Sequence, residues 1–332
     1  MITTPALVVD EAILERNIAT MAAALPGARM RPHVKAHKTT EIARRQRDVG
    51  GHQTFTCATV REVEVLAEAG LGADLVLANE VVDCTRLGAA AERHGARITV
   101  AVDSEATIDA AARGGVREVL IDVNVGLPRC GCAPADAGRV ADVARARGLA
   151  VRGVMGYEGH VVGLPDRAER IEKVGEAMEL LVGAASLVAA DEGVISAGGT
   201  GTFDINSWAT EIQAGSYALM DTHYGALALP FEQALFVHAT VISVSEKYAV
   251  ADCGLKALGM DHGNPTIDGA RVWFCSDEHV TFAPDARGSV SVGDSVRVVP
   301  AHVDPTMAYH SRVLFVRGDD VVGEAPIDMR GW

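Results

Sequence analysis

The sequence predicts a (β/α)8 TIM-like barrel followed by a C-terminal, mostly antiparallel β domain. Between Met30 and Gln213 there are eight short β-like runs, most of them followed by helical patterns. After about Asp221 the texture changes to alternating runs separated by tight turns. A chain of 332 residues, 48% of them hydrophobic and rich in Ala, Gly and Val, has room for one large domain and a smaller one.

The opening run Ala6–Asp10 is extended and can join the β domain's sheet, with Asp10 capping a helix that starts at Glu11. The barrel runs are Met30–Val34, Thr54–Ala58, Leu75–Ala78, Ile98–Val102, Glu118–Asp122, Val151–Tyr157, Gly193–Ser196 and Thr210–Gln213. Val60–Ala69, Pro134–Arg147 and Arg167–Ala190 are among the helices between them. The seventh connection, Gly198 to Ala209, is long and carries little helical signal. A doubly wound open sheet is the alternative arrangement. Beyond the barrel come Phe236–Val244, Tyr248–Asp252, Arg271–Phe274, Ser295–Pro300 and Ser311–Arg317. The expected division is a barrel over residues 11–225, with residues 1–10 and 226–332 forming the β domain.

A formal charge of −14 argues against nucleic acid as a partner, because phosphates need a basic footprint. No apolar run approaches the roughly 20 residues that span a bilayer, and the N-terminus shows no secretion signal. Six scattered cysteines without a CxxC pair read as cytoplasmic thiols, although Cys130-Gly-Cys132 admits a metal or redox reading.

Three constellations carry chemistry. Lys35, in Arg31-Pro-His-Val-Lys-Ala-His-Lys38, follows the first apolar run, where a barrel strand presents its active-site end. Cations beside it (Arg31, Lys38, His33 or His37) would lower its pKa and supply a neutral, imine-forming amine. A solvated basic loop is the plainer reading. Gly198-Gly-Thr-Gly-Thr202 and Gly215-Ser-Tyr217 follow the seventh and eighth runs, where barrels bind phosphate; two ordinary glycine turns are the alternative. Lysine and phosphate cradle together suit pyridoxal 5'-phosphate (PLP). Third, His302-Val-Asp304 on an extended segment would point both side chains to one side, as a divalent metal requires; a surface pair is the alternative.

Taken together these segments resemble the fold-type III PLP enzymes, within them the family of D-threonine aldolases and eukaryotic-type D-serine dehydratases. The resemblance covers essentially the whole chain. It rests on the Lys35 motif, Asp122-Val-Asn-Val-Gly-Leu-Pro-Arg-Cys-Gly131, Ser196–Thr202, Glu211-Ile-Gln-Ala-Gly-Ser-Tyr217 and Pro300-Ala-His-Val-Asp-Pro-Thr306. The resemblance implies that Lys35 holds PLP as an imine and that Arg129 contacts its phenolic oxygen. It places Tyr157 along the ring, Gln213 opposite the pyridine nitrogen, and Gly199, Thr200, Gly201, Gly215, Ser216 and Tyr217 around the phosphate. His302 and Asp304 would hold the metal, whether Mn, Mg or Zn. Relatives that dehydrate often carry cysteine where this chain has Asp304, and a carboxylate favours harder ions. That residue is the main reason to expect an aldolase.

One departure stands out. Aldolases of the family tend to carry a histidine a few residues after the tyrosine, at a spacing that falls near Gly163, whereas this chain has His160. Either His160 substitutes as the catalytic base, or it is structural and a hydroxide on the metal acts instead, or the chemistry differs. The expected reaction is retro-aldol cleavage of a D-3-hydroxy amino acid to glycine and an aldehyde. Dehydration of D-serine or 3-hydroxyaspartate is the nearest rival. A non-catalytic PLP carrier would need no β domain, and a racemase would need a second base that Tyr224, Tyr248 and Tyr309 do not obviously supply. By analogy with the fold type, the expected partners are a small-molecule substrate and a second copy in a homodimer.

Overall fold

The computed structural model describes residues 2–332. Seven strands pair in parallel in sequence order: Phe55–Cys57, Leu75–Leu77, Ile98–Val102, Glu118–Asp122, Ala150–Gly156, Val194–Ala197 and Glu211–Ile212. Strands buried on both faces read as unbroken apolar runs, which is why Leu75–Leu77 and Ile98–Val102 are visible in the sequence. Helices Val60–Glu68, Thr85–His94, Glu105–Arg113, Ala137–Ala146 and Arg167–Val188 cross between them. Their starts are chemically marked: Thr59 accepts from the Glu62 amide, Ser104 and Thr107 form a capping box, and Asp166 accepts from Glu169. No helix forms between Val194–Ala197 and Glu211–Ile212 among the described residues.

The first barrel run differs from a regular strand. Met30 bridges Ile212 and His33 bridges Thr56, both in parallel, and these isolated bridges close the barrel. Pro32 lies between them with no N–H to give, and the chain then tightens into a 3-10 turn at Val34–Ala36. The seam is held by amide bonds from Arg31 to Ile212, His33 to Ala214 and Thr56 to Pro32, at 2.9–3.0 Å.

The N-terminal ends of the strands carry a buried ion network that plugs the barrel floor. Arg31 bonds Glu211 at 2.9 Å and Asp74 at 3.1 Å. Arg152 bonds Asp74 at 2.9 Å, Thr99 at 2.8 Å and Glu192 at 3.0 Å. Burial by itself would raise the Asp74 pKa, but hydrogen bonds and charge from Arg152 and Arg31 outweigh it and hold the group at about 2, below the usual 3.8. A depressed carboxylate stabilises the fold above its unfolded pKa, and the contribution fades as pH falls through the folded value. Acid titration of the melting temperature should therefore show a loss between about pH 4 and pH 2. An Asp74→Asn variant should melt lower at neutral pH and show a shallower slope in that window; an unchanged slope would reject the assignment.

The β unit is built on the ten-residue strand Leu235–Val244. Together with Ala249–Ala251, Val280–Pro284, Ala270–Cys275, Thr266–Ile267 and Ser295–Val299 it closes a six-stranded ring. Ala6–Asp10, Arg312–Arg317 and Asp320–Pro326 extend outward from it. Ala6–Asp10 joins this sheet as expected, antiparallel to Leu235–Val244 and parallel to Arg312–Arg317. Asp10 caps the next helix, accepting from the Ile13 amide at 3.1 Å. Three strands are additional to the sequence reading: Thr266–Ile267, Val280–Pro284 and Asp320–Pro326.

The chain divides into two compact units. One comprises the chain up to Thr20 with Ala36–Thr39 and Ser216–Arg330; the other comprises Met21–Lys35, Thr40–Gly215 and the last two residues.

Candidate active site

Lys35 stands half-buried in the 3-10 turn that ends the first barrel run. Arg31, a neighbour of Lys35 in sequence, turns its guanidinium to the barrel floor, where Asp74 and Glu211 balance its charge. The neighbouring imidazoles are turned onto the backbone. Nδ1 of His33 accepts from the Lys35 amide and Nδ1 of His37 from the Thr39 amide, and an accepting nitrogen carries no proton.

Tyr157 directly follows strand Ala150–Gly156. The Arg129 guanidinium lies 5.5 Å from the centroid of the Tyr157 ring, so the structure brings these two expected residues together. A Cβ at Gly199 would meet the same ring at 3.4 Å, and one at Gly159 would meet it at 2.4 Å. His160 is exposed, so it is not a core histidine. Its ring lies against Gly126, where a Cβ would come within 2.8 Å of Nε2. Gly126 has φ +127°, so side chains are disfavoured there on two counts.

The glycine cradle is held from beneath by a residue that sequence reasoning missed. Glu158, fully buried, accepts from the Gly198 amide at 3.1 Å, the Thr202 hydroxyl at 2.9 Å and the Asn206 amide group at 3.1 Å. The Gly199 amide donates to Thr202 Oγ1 at 3.1 Å. The first two glycines thus spend their N–H groups inside the loop. Gly201 is required sterically, because a Cβ there would lie 1.8 Å from the Val162 carbonyl oxygen. Gln213 Nε2 donates to Ser196 Oγ at 2.7 Å, and that hydroxyl donates to Glu211 at 2.6 Å, fixing the amide's orientation. Gly215 ends this unit; Ser216 and Tyr217 belong to the other, in the 3-10 turn Ser216–Ala218, with the buried Tyr217 ring 5.6 Å from Phe231. A lysine at a strand end, a cation stacked on a tyrosine and a backbone-packed glycine loop fit PLP.

Cys130 and Cys132 are not thiolates. A hydrogen bond with Glu80 pushes Cys130 up to about 11, and burial does the same for Cys132.

The second cluster lies in the β unit. His302 and Asp304 do come together, but not on an extended segment. His302 is the N-cap residue of helix Val303–Tyr309, and Asp304 falls in its first turn with Pro305 behind it. The buried Asp221 takes over the capping work, accepting from the Val303 amide at 3.1 Å, so the His302 ring is not used as a cap. His302 Nε2 lies 3.8 Å from Asp304 Oδ1. Two bonds of about 2.1 Å reach across up to about 4.2 Å, so this pair fits a bridging ion. Two further groups, unseen from sequence, lie beside the pair. Asp261 Oδ2 is 2.7 Å from His302 Nδ1, and the His262 ring stacks on His302 at 4.0 Å. Burial, with the charges of His302 and His223, lowers the His262 pKa.

A closed parallel barrel with a strand-end lysine, continued by a six-stranded β ring, is the architecture of alanine racemase-type enzymes. Residues 9–222 match the family described as alanine racemase, N-terminal domain, and residues 234–316 match a serine dehydratase domain. The chain belongs to this fold-type III family of PLP enzymes. It is 33% identical to a 3-hydroxy-D-aspartate aldolase of Paracoccus denitrificans, covering 99% of this chain and 92% of that protein. It is 35% identical to a D-threonine aldolase of an Arthrobacter species, covering 100% and 93%. Among solved structures, the D-threonine aldolase of Filomicrobium marinum superposes with a TM-score of 0.93 at 33% identity, covering 99% of this chain and 96% of that one. A D-threo-3-hydroxyaspartate dehydratase of a Delftia species gives 0.88 at 26%, covering 100% and 99%.

Proposed function

We propose that this chain is a PLP- and divalent-metal-dependent lyase. It cleaves the Cα–Cβ bond of a D-3-hydroxy amino acid, D-threonine-like, and releases glycine and an aldehyde. The observation that carries this reading is the carboxylate of Asp304 facing His302 Nε2 across 3.8 Å, a hard donor set suited to Mn²⁺ or Mg²⁺. Full-length similarity to two aldolases supports it.

In this reading residues 11–225 bind the cofactor and the β domain binds the metal. Lys35 holds the cofactor covalently through Nζ, and Arg129 faces its phenolic oxygen. Tyr157 would line the ring, Gln213 would face the pyridine nitrogen, and Gly199, Thr200, Gly201, Gly215, Ser216 and Tyr217 would serve the phosphate. When bound, PLP supplies an electron sink for Cα and the metal a Lewis acid at the β-hydroxyl. His160 Nε2 takes the β-hydroxyl proton, a role consistent with its exposure beside Gly126. The protein works as a cytoplasmic homodimer. Fold-type analogy supports the dimer, and the lack of disulfides among the described cysteines supports the compartment. No described helix is long and apolar enough to cross a membrane.

Product analysis tests the reading. Protein loaded with PLP and Mn²⁺ is incubated with D-threonine, D-phenylserine, D-3-hydroxyaspartate and D-serine. Glycine plus aldehyde, lost with EDTA and restored by Mn²⁺, is the expected result. Ammonia plus keto acid would overturn it in favour of a second reading, dehydration, which the serine dehydratase match over residues 234–316 favours. Lys35 Nζ would then remove the α-proton.

A further inference from the structure

We propose that Asp261 is a positioning residue of the metal centre, holding one edge of His302 so that the ion is taken on the other edge, with Asp304. The proposal rests on the reading of His302 and Asp304 as ligands. It goes beyond that reading in choosing between two ways the cluster could hold an ion.

Asp261 Oδ2 lies 2.7 Å from His302 Nδ1. A carboxylate only accepts, so Nδ1 carries a proton, and the tautomer of the neutral ring that fits this contact has its lone pair on Nε2. That lone pair belongs to the nitrogen 3.8 Å from Asp304 Oδ1. A carboxylate on the far nitrogen of a metal-binding histidine sets its tautomer, fixes its ring and raises its basicity.

The competing arrangement uses Asp261, His262 and His302, whose ligand atoms all lie within 4.8 Å of one another. Two features speak against it. The 2.7 Å gap is that of a hydrogen bond, closer than the roughly 3.0 Å minimum at which two donors stand when both bind one ion through bonds of about 2.1 Å. The His262 and His302 rings are also stacked with planes only 10° apart. Imidazole lone pairs lie in the ring plane, so two nearly parallel rings do not converge on one ion.

The placement of Asp261 is built in. Gly259 pairs with His302 in an antiparallel bridge, and its amide donates to Thr306 Oγ1 at 2.8 Å. Thr306 Oγ1 in turn donates to the His302 carbonyl at 2.7 Å. A Cβ at Gly259 would lie 2.4 Å from the Pro305 ring, so the segment leading to Asp261 runs hard against the start of the helix. Asp261 thus reaches His302 from a segment laced to the same turn.

Mn²⁺ binding to chelator-treated, PLP-loaded protein tests this, read by the electron paramagnetic resonance of free Mn²⁺. Asp261→Ala should weaken affinity about 10–100-fold, and Asp261→Asn, which keeps an acceptor oxygen, should restore part of the loss. His262→Ala should leave affinity within about twofold. Melting temperature and cofactor absorbance should be unchanged in all three. Unchanged affinity in Asp261→Ala would overturn the proposal. So would loss of binding in both the Asp261 and His262 variants while Asp304→Asn still binds. The underlying reading fails separately if His302→Ala and Asp304→Asn both retain full affinity.

Discussion

Replacing Lys35 by alanine should leave a folded protein without the imine absorbance of the cofactor and with turnover reduced by at least about 10²–10⁴-fold, the range for loss of a positioned acid–base group. The fold should survive because Lys35 is only half-buried and its neighbours carry the packing. Val34 and Ala36 are fully buried, and the seam bonds of His33 and Arg31 are made by the backbone. Only the amine is lost. An absorbance scan before and after borohydride reduction, alongside product analysis, reads both quantities. Imine absorbance retained in the variant would remove Lys35 from the site. A melting temperature that collapses would show that the turn itself had been misjudged.

The second large effect is expected at Glu158. In Glu158→Ala three buried donors lose their acceptor at once: the Gly198 amide, the Thr202 hydroxyl and the Asn206 side chain. Hydrogen bonds to a charged group contribute about 1.5–3 kcal/mol each and do not add fully, so a loss of about 3–5 kcal/mol is expected. That corresponds to a fall in melting temperature on the order of 10 °C. PLP affinity should fall with it, because the loop from Gly198 to Thr202 is shaped by this carboxylate. Glu158→Gln should lose less, since one oxygen still accepts while the new NH2 meets a donor. Thermal melts with and without PLP check both effects; an alanine variant that melts and binds PLP like the parent would sink the argument.

The difference between what was legible and what was hidden follows from how far apart the interacting residues lie. The middle strands announce themselves because each is a local apolar run buried on both faces. Lys35, the glycine loop and the His302–Asp304 pair are likewise local patterns. The reason given for the last pair was wrong, although its signal was present: Asp304-Pro305 marks the first turn of a helix, not a strand. Glu158 could not be read, because an isolated carboxylate in a loop looks solvated and its partners lie 40–48 residues downstream. Asp261, 41 residues before His302, was hidden in the same way. Val280–Pro284 escaped because its last residue is a proline, which demotes a strand pattern. Arg31 misled in the opposite direction: it sits in the lysine motif, yet its side chain serves the floor.

The barrel seam has a kinetic consequence. Each regular strand after the first can dock on the one made just before it, but the Arg31 segment must wait for residues about 180 positions later. Contacts of such long sequence separation carry the largest loop-closure entropy and are expected late in folding. The two sides of that joint carry Lys35 and the Gln213–Gly215 stretch, the groups proposed to grip opposite ends of the cofactor. On that proposal PLP would clasp the joint, so loading the cofactor and completing the cylinder would become one coupled equilibrium, and the cofactor-free protein is expected to open first along this line.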